Sequence, residues 1–182
     1  MSEMFSRRVF LRGLGVVAAA AALTACSSTN EAVNQALIEG AVGGIVAADC
    51  KIGRMTYWAA NATVPVNEIS FRIVMTNVSS KPVTLSGDNF ATTLDGTPIP
   101  PFNFSARDVG DADIWRTYDS LTIRPGEERS VALAYEISQS TYDSWYRSSR
   151  TVAVSFTCGN QRVTYTKNSR SDEITVSDIE TL

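Results

Sequence analysis

Three carboxylates crowd into one short stretch of the chain, because Asp108, Asp111 and Asp113 lie within six residues of each other. Hard oxygen ligands of this kind are what Ca²⁺ takes in proteins. The longer pattern, in which alternating acids are followed by a glycine and a distal glutamate, is missing. The stretch is therefore either a calcium site or a solvated acidic loop, and no other metal or cofactor is expected.

The chain of 182 residues contains no histidine. This absence excludes Ser-His-Asp and Cys-His nucleophile pairs, imidazole metal ligands and a general base naturally poised near neutral pH. Paired carboxylates for glycoside hydrolysis are available by residue type, but no pattern places two of them in one cleft. The sequence therefore predicts a protein that is not an enzyme.

Aromatic side chains cluster around residues 57–58 and 142–146, and Trp115 lies between the two clusters. If they are exposed, Trp115, Trp145 and Tyr146 would form a platform for a sugar or the hot spot of a protein interface. If they are buried, they belong to the core. Both interpretations stay open, and the exposure of the three rings decides between them.

Residues 1–25 have the order of an export signal. Residues 6–12 are basic and are followed by an apolar stretch over residues 13–25, which is too short for the about 20 residues that cross a bilayer. The stretch resembles bacterial twin-arginine export signals, whose pattern is matched by Arg7, Arg8, Phe10 and Leu11. We therefore predict a twin-arginine signal peptide over residues 1–25.

Residues 23–26 read Leu-Thr-Ala-Cys and resemble a bacterial lipobox. The resemblance implies that Cys26 becomes the first residue of the mature protein and carries fatty-acyl chains such as palmitate, which anchor it to a membrane. Ser27 follows the cysteine, which by the same resemblance implies the periplasmic face of the outer membrane in a Gram-negative host. We therefore predict a lipoprotein of the cell envelope.

The chain without its signal is acidic. Residues 1–25 carry three arginines and one glutamate, so the formal net charge of −3 becomes −5 for the remaining 157 residues. Nucleic-acid binding requires a basic surface, so we expect no nucleic-acid partner.

With Cys26 acylated, Cys50 and Cys158 remain as an even pair in an oxidising compartment. They are predicted to form a disulfide that closes a loop of about 110 residues, worth about 4–5 kcal/mol. The alternative is two separate buried thiols.

The pattern of apolar residues changes along the mature chain. Small and apolar residues recur at near-helical spacing over residues 31–48, and alternation with period two, typical of strands, begins after Cys50. A turn at Gly159-Asn160 would pair Cys158 with Gln161 and place one apolar face inward. Residues 124–127 favour a type II turn, and residues 139–147 look helical.

About seven or eight short strands separated by turns predict an all-β protein. The expected fold is an immunoglobulin-like antiparallel β-sandwich over residues 50–168, preceded by the signal peptide and by a lipidated tether and short helix over residues 26–49. Residues 169–182 are expected to form a C-terminal tail.

The residues at three turns resemble those of a known class of domain. The Asn-Val-Ser turn that begins at Asn77, the Asp95-Gly96 turn and the Pro-Gly-Glu turn at residues 125–127 resemble those of telokin-like immunoglobulin-type domains of bacterial secreted lipoproteins. The similarity covers roughly residues 68–137, and it implies a non-catalytic envelope module.

Together these features predict a lipid-anchored protein of the cell envelope that acts as a non-catalytic interaction module for an envelope protein. The alternative is a lipoprotein that binds a glycan or small ligand through exposed aromatic residues, with or without calcium.

Overall fold

The computed structural model describes residues 40–57, 63, 65–101, 103–109 and 115–182. The predicted export signal with Arg7, Arg8, Phe10 and Leu11, the lipidation site Cys26, and the acids Asp111 and Asp113 lie outside the described residues. Within the described part of the chain, no helix is long and apolar enough to cross a membrane.

Thirteen strands, one short α-helix and one 3₁₀ helix (Gly87–Asn89) make up the regular structure of the described part of the chain. In chain order the strands and the α-helix are β1 (Ile45–Tyr57), β2 (Val66–Asn77), β3 (Val83–Ser86), β4 (Phe90–Leu94), β5 (Thr97–Ile99), β6 (Asn103–Asp108), β7 (Arg116–Thr117), β8 (Ser120–Ile123), β9 (Glu128–Glu136), α1 (Gln139–Ser144), β10 (Thr151–Cys158), β11 (Gln161–Asn168), β12 (Ile174–Val176) and β13 (Glu180–Thr181).

The strands form two antiparallel sheets and a small extra pair. One sheet has the order β1-β2-β9-β6-β7, the other has the order β12-β11-β10-β4-β5 with β13 also pairing with β11, and β3 pairs with β8. The orders β1-β2-β9-β6 and β11-β10-β4 are those of the two sheets of an immunoglobulin constant-type sandwich. The predicted immunoglobulin-like antiparallel β-sandwich is therefore confirmed.

Period-two alternation explains how the strands build the core. In β2, the side chains of Ile69, Phe71, Ile73 and Met75 are buried while Arg72 between them is exposed. The β10–β11 hairpin has the predicted register, with Cys158 opposite Gln161, Phe156 opposite Val163 and Val154 opposite Tyr165.

A cluster of five aromatic rings occupies the centre between the sheets, in which Phe104 of β6 lies 6.2 Å from Phe90. Phe71 of β2 lies 6.1 Å from Phe90 of β4 and 5.8 Å from Tyr165 of β11, and Phe90 lies 5.1 Å from Phe156 of β10, between ring centroids. Antibody domains place a disulfide and a tryptophan on the equivalent strands. In this domain, packed aromatic rings occupy the positions of that disulfide and tryptophan.

The predicted disulfide between Cys50 and Cys158 is wrong, because both residues are free thiols. Cys50 lies in β1 of one sheet and Cys158 at the end of β10 in the other sheet. Burial raises the pKa of Cys50 to about 12, so this thiol stays protonated.

The helix predicted over residues 31–48 is wrong over the part that the structure describes. Residues 45–48 belong to β1, and a backbone turn precedes them in which Val42 and Ile45 exchange hydrogen bonds. Gly43 and Gly44 in this turn have φ angles of 57° and 85°, which belong to the left-handed region and end any helix. The sandwich therefore begins at Ile45 and not at residue 50.

The C-terminal tail predicted over residues 169–182 is also corrected. Its strands β12 and β13 pair with β11, opposite Tyr165–Lys167 and Gln161–Arg162 respectively. These strands cover part of an edge that would otherwise present unpaired backbone groups. Each of these strands is too short to show a period-two alternation of apolar and polar residues in the sequence.

Asn77 holds together the turn that follows β2. Its side chain is fully buried, and its amide nitrogen donates to the carbonyl oxygens of Lys81 and Ile123, each at 2.8 Å. Its amide oxygen accepts the backbone N–H of Ser79 at 2.9 Å. The asparagine of the Asn-Val-Ser turn therefore stabilises the turn through buried hydrogen bonds.

We expect Asn77→Ala to lower the free energy of unfolding by about 3 kcal/mol, because each buried group left without a partner costs about 1–3 kcal/mol. Urea denaturation followed by tryptophan fluorescence measures the change. Asn160→Ala, at an exposed position, is the control and should change the stability by less than about 0.5 kcal/mol. Equal stabilities of the two variants would contradict this role for Asn77.

Candidate functional site

The outer face of the sheet that contains β1, β2, β9 and β6 holds a shallow depression. Strand pairing brings small side chains together in the middle of this face, namely Gly53, Ser70, Ala132, Ala134 and Ser105. Longer side chains stand around them. The result is a depression of about 150 Å³ lined by Glu68, Ser70, Arg72, Asn103, Ser105, Trp115, Ala132, Leu133 and Ala134.

A second depression of about 180 Å³ adjoins the first and shares Ser70 and Arg72 with it. Its other lining residues come from β1 and include Lys51, Gly53 and Met55. The two together form a groove that runs across the strands, and we call it the outer-face groove.

Trp115 forms one wall of the outer-face groove, just before β7. Its ring centroid lies 4.9 Å from the guanidinium carbon of Arg107 and 5.6 Å from that of Arg72. Arg72 is in turn oriented by hydrogen bonds from Nε to Ser70 Oγ and from Nη2 to Met55 Sδ. The indole and the Arg72 guanidinium are thereby held over the small residues at the centre of the sheet.

Glu68 lines the same groove and is only 7% exposed. Burial raises the pKa of its carboxyl above the ordinary value, and the nearby charge of Arg72 lowers it in part. Its carboxylate is not among the buried polar atoms without a hydrogen-bond partner in the described part of the chain, and it lines the depression. A buried carboxylate with a perturbed pKa in a concave surface is a common mark of a functional site.

Glu68→Gln is expected to stabilise the domain at pH 7. A raised folded-state pKa means that the native state binds more protons than the unfolded state above pH 4.5, the ordinary value, so stability falls as the pH rises through the titration of Glu68. The glutamine variant lacks this penalty. Its advantage in melting temperature over the wild type should therefore be present at pH 7 and disappear at pH 3.

Glu173 provides the control, because it is exposed and lies between β11 and β12, outside the sheet that carries Glu68. Glu173→Gln should change the melting temperature little at either pH. A Glu68 variant that is less stable than the wild type at pH 7 would contradict the expected effect of burial on Glu68.

A second surface lies at the end of the sandwich where β1 finishes and α1 begins. Arg54 stacks on Tyr142 and Tyr146, at 4.2 Å and 4.6 Å from the ring centroids, and its Nη1 donates to the carbonyl oxygen of Tyr142 at 2.6 Å. Tyr146 is 61% exposed. We call Arg54, Tyr142 and Tyr146 the far-end cluster.

The three aromatic residues singled out in the sequence do not form one site. Trp115 lines the outer-face groove, Tyr146 belongs to the far-end cluster, and Trp145 is only 2% exposed and packs in the core. Of the two interpretations left open for Trp145, its burial therefore supports the core position and removes it from the possible ligand-binding residues.

The calcium candidate is only partly described. The carboxylate of Asp108 forms an ion pair with Arg129, which also pairs with Glu127 at 2.5 Å. In the described ranges, no three acidic, histidine or cysteine residues come together as a metal site.

Three residues that carry these surfaces were missed in the sequence, namely Glu68, Arg72 and Arg54. Each occupies a polar position in an alternating strand, which looks the same as a solvated face. Only the strand register shows that Glu68 and Arg72 lie near Trp115.

Strand order and register define an immunoglobulin-like β-sandwich with a groove on one outer face. No family model matches the sequence, and no curated protein matches it. Solved structures to which the chain is similar include an uncharacterised β-sandwich protein from Clostridium difficile 630, with 15% identity over 68% of this chain and 83% of that chain and a TM-score of 0.41. The yjhA protein from Bacillus subtilis has 14% identity over 62% of this chain and 73% of that chain, with a TM-score of 0.38. At these identities the similarity concerns the fold alone.

Proposed function

We propose that the chain is exported by the twin-arginine route, acylated at Cys26 and held at the cell envelope, where its β-sandwich acts as a non-catalytic protein-interaction module. The export and anchoring parts are supported by the sequence of residues 6–12 and 23–26. In a Gram-negative host, the proposed location is the periplasmic face of the outer membrane.

The position of the far-end cluster carries the interaction part of the proposal. The chain enters the sandwich at Gly43, whose N–H donates to Gln161 Oε1 beside the β10–β11 turn. The far-end cluster lies toward the opposite end of β2, because Arg54 pairs with Ile69, eight residues or about 26 Å from Asn77. Tyrosine and arginine are the residues that dominate interface energetics, and here they are presented at the end of the sandwich opposite Gly43.

Site-specific photocrosslinking in intact cells tests the interaction. A photoreactive amino acid at Tyr146 should give one adduct of defined mass, and the same substitution at Asn160, at the near end, should give none. Adducts of equal yield at both positions, or none at Tyr146, would overturn the proposed surface.

Export is tested separately. Replacing Arg7 and Arg8 by lysine is expected to trap the precursor in the cytosol, because the paired arginine is the feature that the resemblance to twin-arginine signals rests on. Immunoblots of fractionated cells should show the uncleaved precursor only. Undiminished mature protein in the envelope would contradict this route.

A second candidate function is binding of a glycan or small ligand, and it is favoured by the outer-face groove with Trp115, Arg72 and Glu68. The calcium part of this alternative gains no support from Asp108, whose carboxylate is paired with Arg129.

A further inference from the structure

The outer-face groove lies over the middle of its sheet, where the backbone N–H and C=O groups are already hydrogen-bonded to neighbouring strands. β2 pairs with β1 on one side and β9 on the other, and β9 also pairs with β6. A peptide that recognises a sheet by adding a strand needs free backbone groups at an edge. A ligand in this groove must be recognised through side chains alone.

The side chains of the groove suit a molecule that carries many hydroxyl groups. Glu68 offers carboxylate oxygens, Asn103 offers both a donor and an acceptor, and Ser105 offers a hydroxyl. Trp115 adds a flat apolar ring beside these groups. Polar groups that converge next to one aromatic ring match a sugar, which has an apolar face and a rim of hydroxyls.

The size and the charge of the outer-face groove further restrict the class of ligand that it can bind. The two adjoining depressions, of about 150 Å³ and about 180 Å³, reach in combination only the lower end of the range of about 300–1,000 Å³ that is typical of ligand pockets. That space suits one or two sugar units. Arg72 stands between the two depressions and Lys51 stands opposite it in β1, so a carboxylate on the ligand has cations to pair with.

We propose that the outer-face groove binds an acidic saccharide of about two units, with a sugar ring stacked on Trp115, its carboxylate paired with Arg72 and its hydroxyls hydrogen-bonded to Glu68. This inference rests on the second candidate function and names its ligand class. The Glu68 carboxylate lines the groove and is not among the buried polar atoms that lack a hydrogen-bond partner, so its oxygens are open to ligand hydroxyls.

Isothermal titration with the full-length protein in detergent micelles tests the inference, with digalacturonic acid as the probe. Galactobiose, which lacks the two carboxylates, is the matched neutral ligand. We expect the acidic disaccharide to bind at least tenfold more tightly than the neutral one. Trp115→Ala and Glu68→Gln should each weaken that binding at least tenfold, and Arg72→Gln should bring the two affinities within threefold.

Lys81→Ala, at an exposed turn far from the groove, is the control variant and should bind as the wild type does. Equal affinities of the wild type for the two disaccharides would overturn the acidic class and leave saccharide binding in place. No binding of either disaccharide, or binding of a hexaglutamate peptide in their stead, would overturn the saccharide inference together with the second candidate function. The protein-interaction surface at Tyr146 is unaffected by these outcomes, because its crosslinking test is independent.

Discussion

Alanine in place of Cys26 is expected to abolish incorporation of labelled palmitate and to release the mature protein from the membrane fraction. Each buried methylene of an acyl chain contributes about 0.8 kcal/mol, so two or more chains hold a protein on a membrane almost permanently. The acidic remainder of the chain offers no electrostatic grip on anionic lipid. Loss of the chains therefore removes the whole membrane affinity.

Cys50→Ala is the matched control for this experiment. Cys50 lies in β1 as a free thiol and plays no part in the proposed anchor. Its replacement should leave the palmitate label and the membrane fraction unchanged. Label that persists in the Cys26 variant would show that the acylation site lies elsewhere.

Gly43→Ala is expected to lower the free energy of unfolding by about 2–5 kcal/mol. Gly43 has a φ of 57°, and a Cβ at this position would lie 2.5 Å from Cys158 Sγ and 2.7 Å from the carbonyl oxygen of Cys158. The left-handed backbone costs a non-glycine residue about 1–2 kcal/mol, and overpacking costs about 1–3 kcal/mol more. The turn that connects the tether to the sandwich therefore depends on this glycine.

Gly159 allows the two costs to be separated. Its φ of 60° is nearly the same, but no described atom lies within 4 Å of the position that a Cβ would take. Gly159→Ala should therefore lose only the backbone part, about 1–2 kcal/mol. Equal losses in the two variants, measured by urea denaturation, would show that the close contact with Cys158 contributes nothing.

Much of the sandwich was predictable because its determinants are local. The alternation of β2 and the Gly159-Asn160 turn fix which side chains face inward, and the register of β10 and β11 follows from them. The turn at residues 124–127 is likewise as predicted, since Gly126 has a φ of 74° and Glu127 N–H donates to the carbonyl oxygen of Arg124.

The errors arose where long-range packing overrides local pattern. Gly44 fits the near-helical spacing of small residues, yet Gly43 and Gly44 form a tight turn in which Cys158 and Ser79 pack directly against them. Cys50 and Cys158 lie in strands of opposite sheets, β1 and β10, yet both are free thiols. Neither fact is contained in the spacing of the residues along the chain.

The candidate site was only partly visible in the sequence. Trp115 stood out by its residue type, whereas Glu68 and Arg72 occupy ordinary outward positions of a strand. The groove exists because β9 and β6 place alanine and serine beside these longer side chains, and strand order across 60 residues is a property of the fold alone.

We propose that this β-sandwich is held at the envelope by acyl chains on one residue, Cys26, and the mass of the protein purified from membranes measures those chains. The purified chain should begin at Cys26 and be heavier than its 157 residues by the mass of the acyl chains. A chain that retains residues 1–25, or one whose Cys26 carries no added mass, would contradict it.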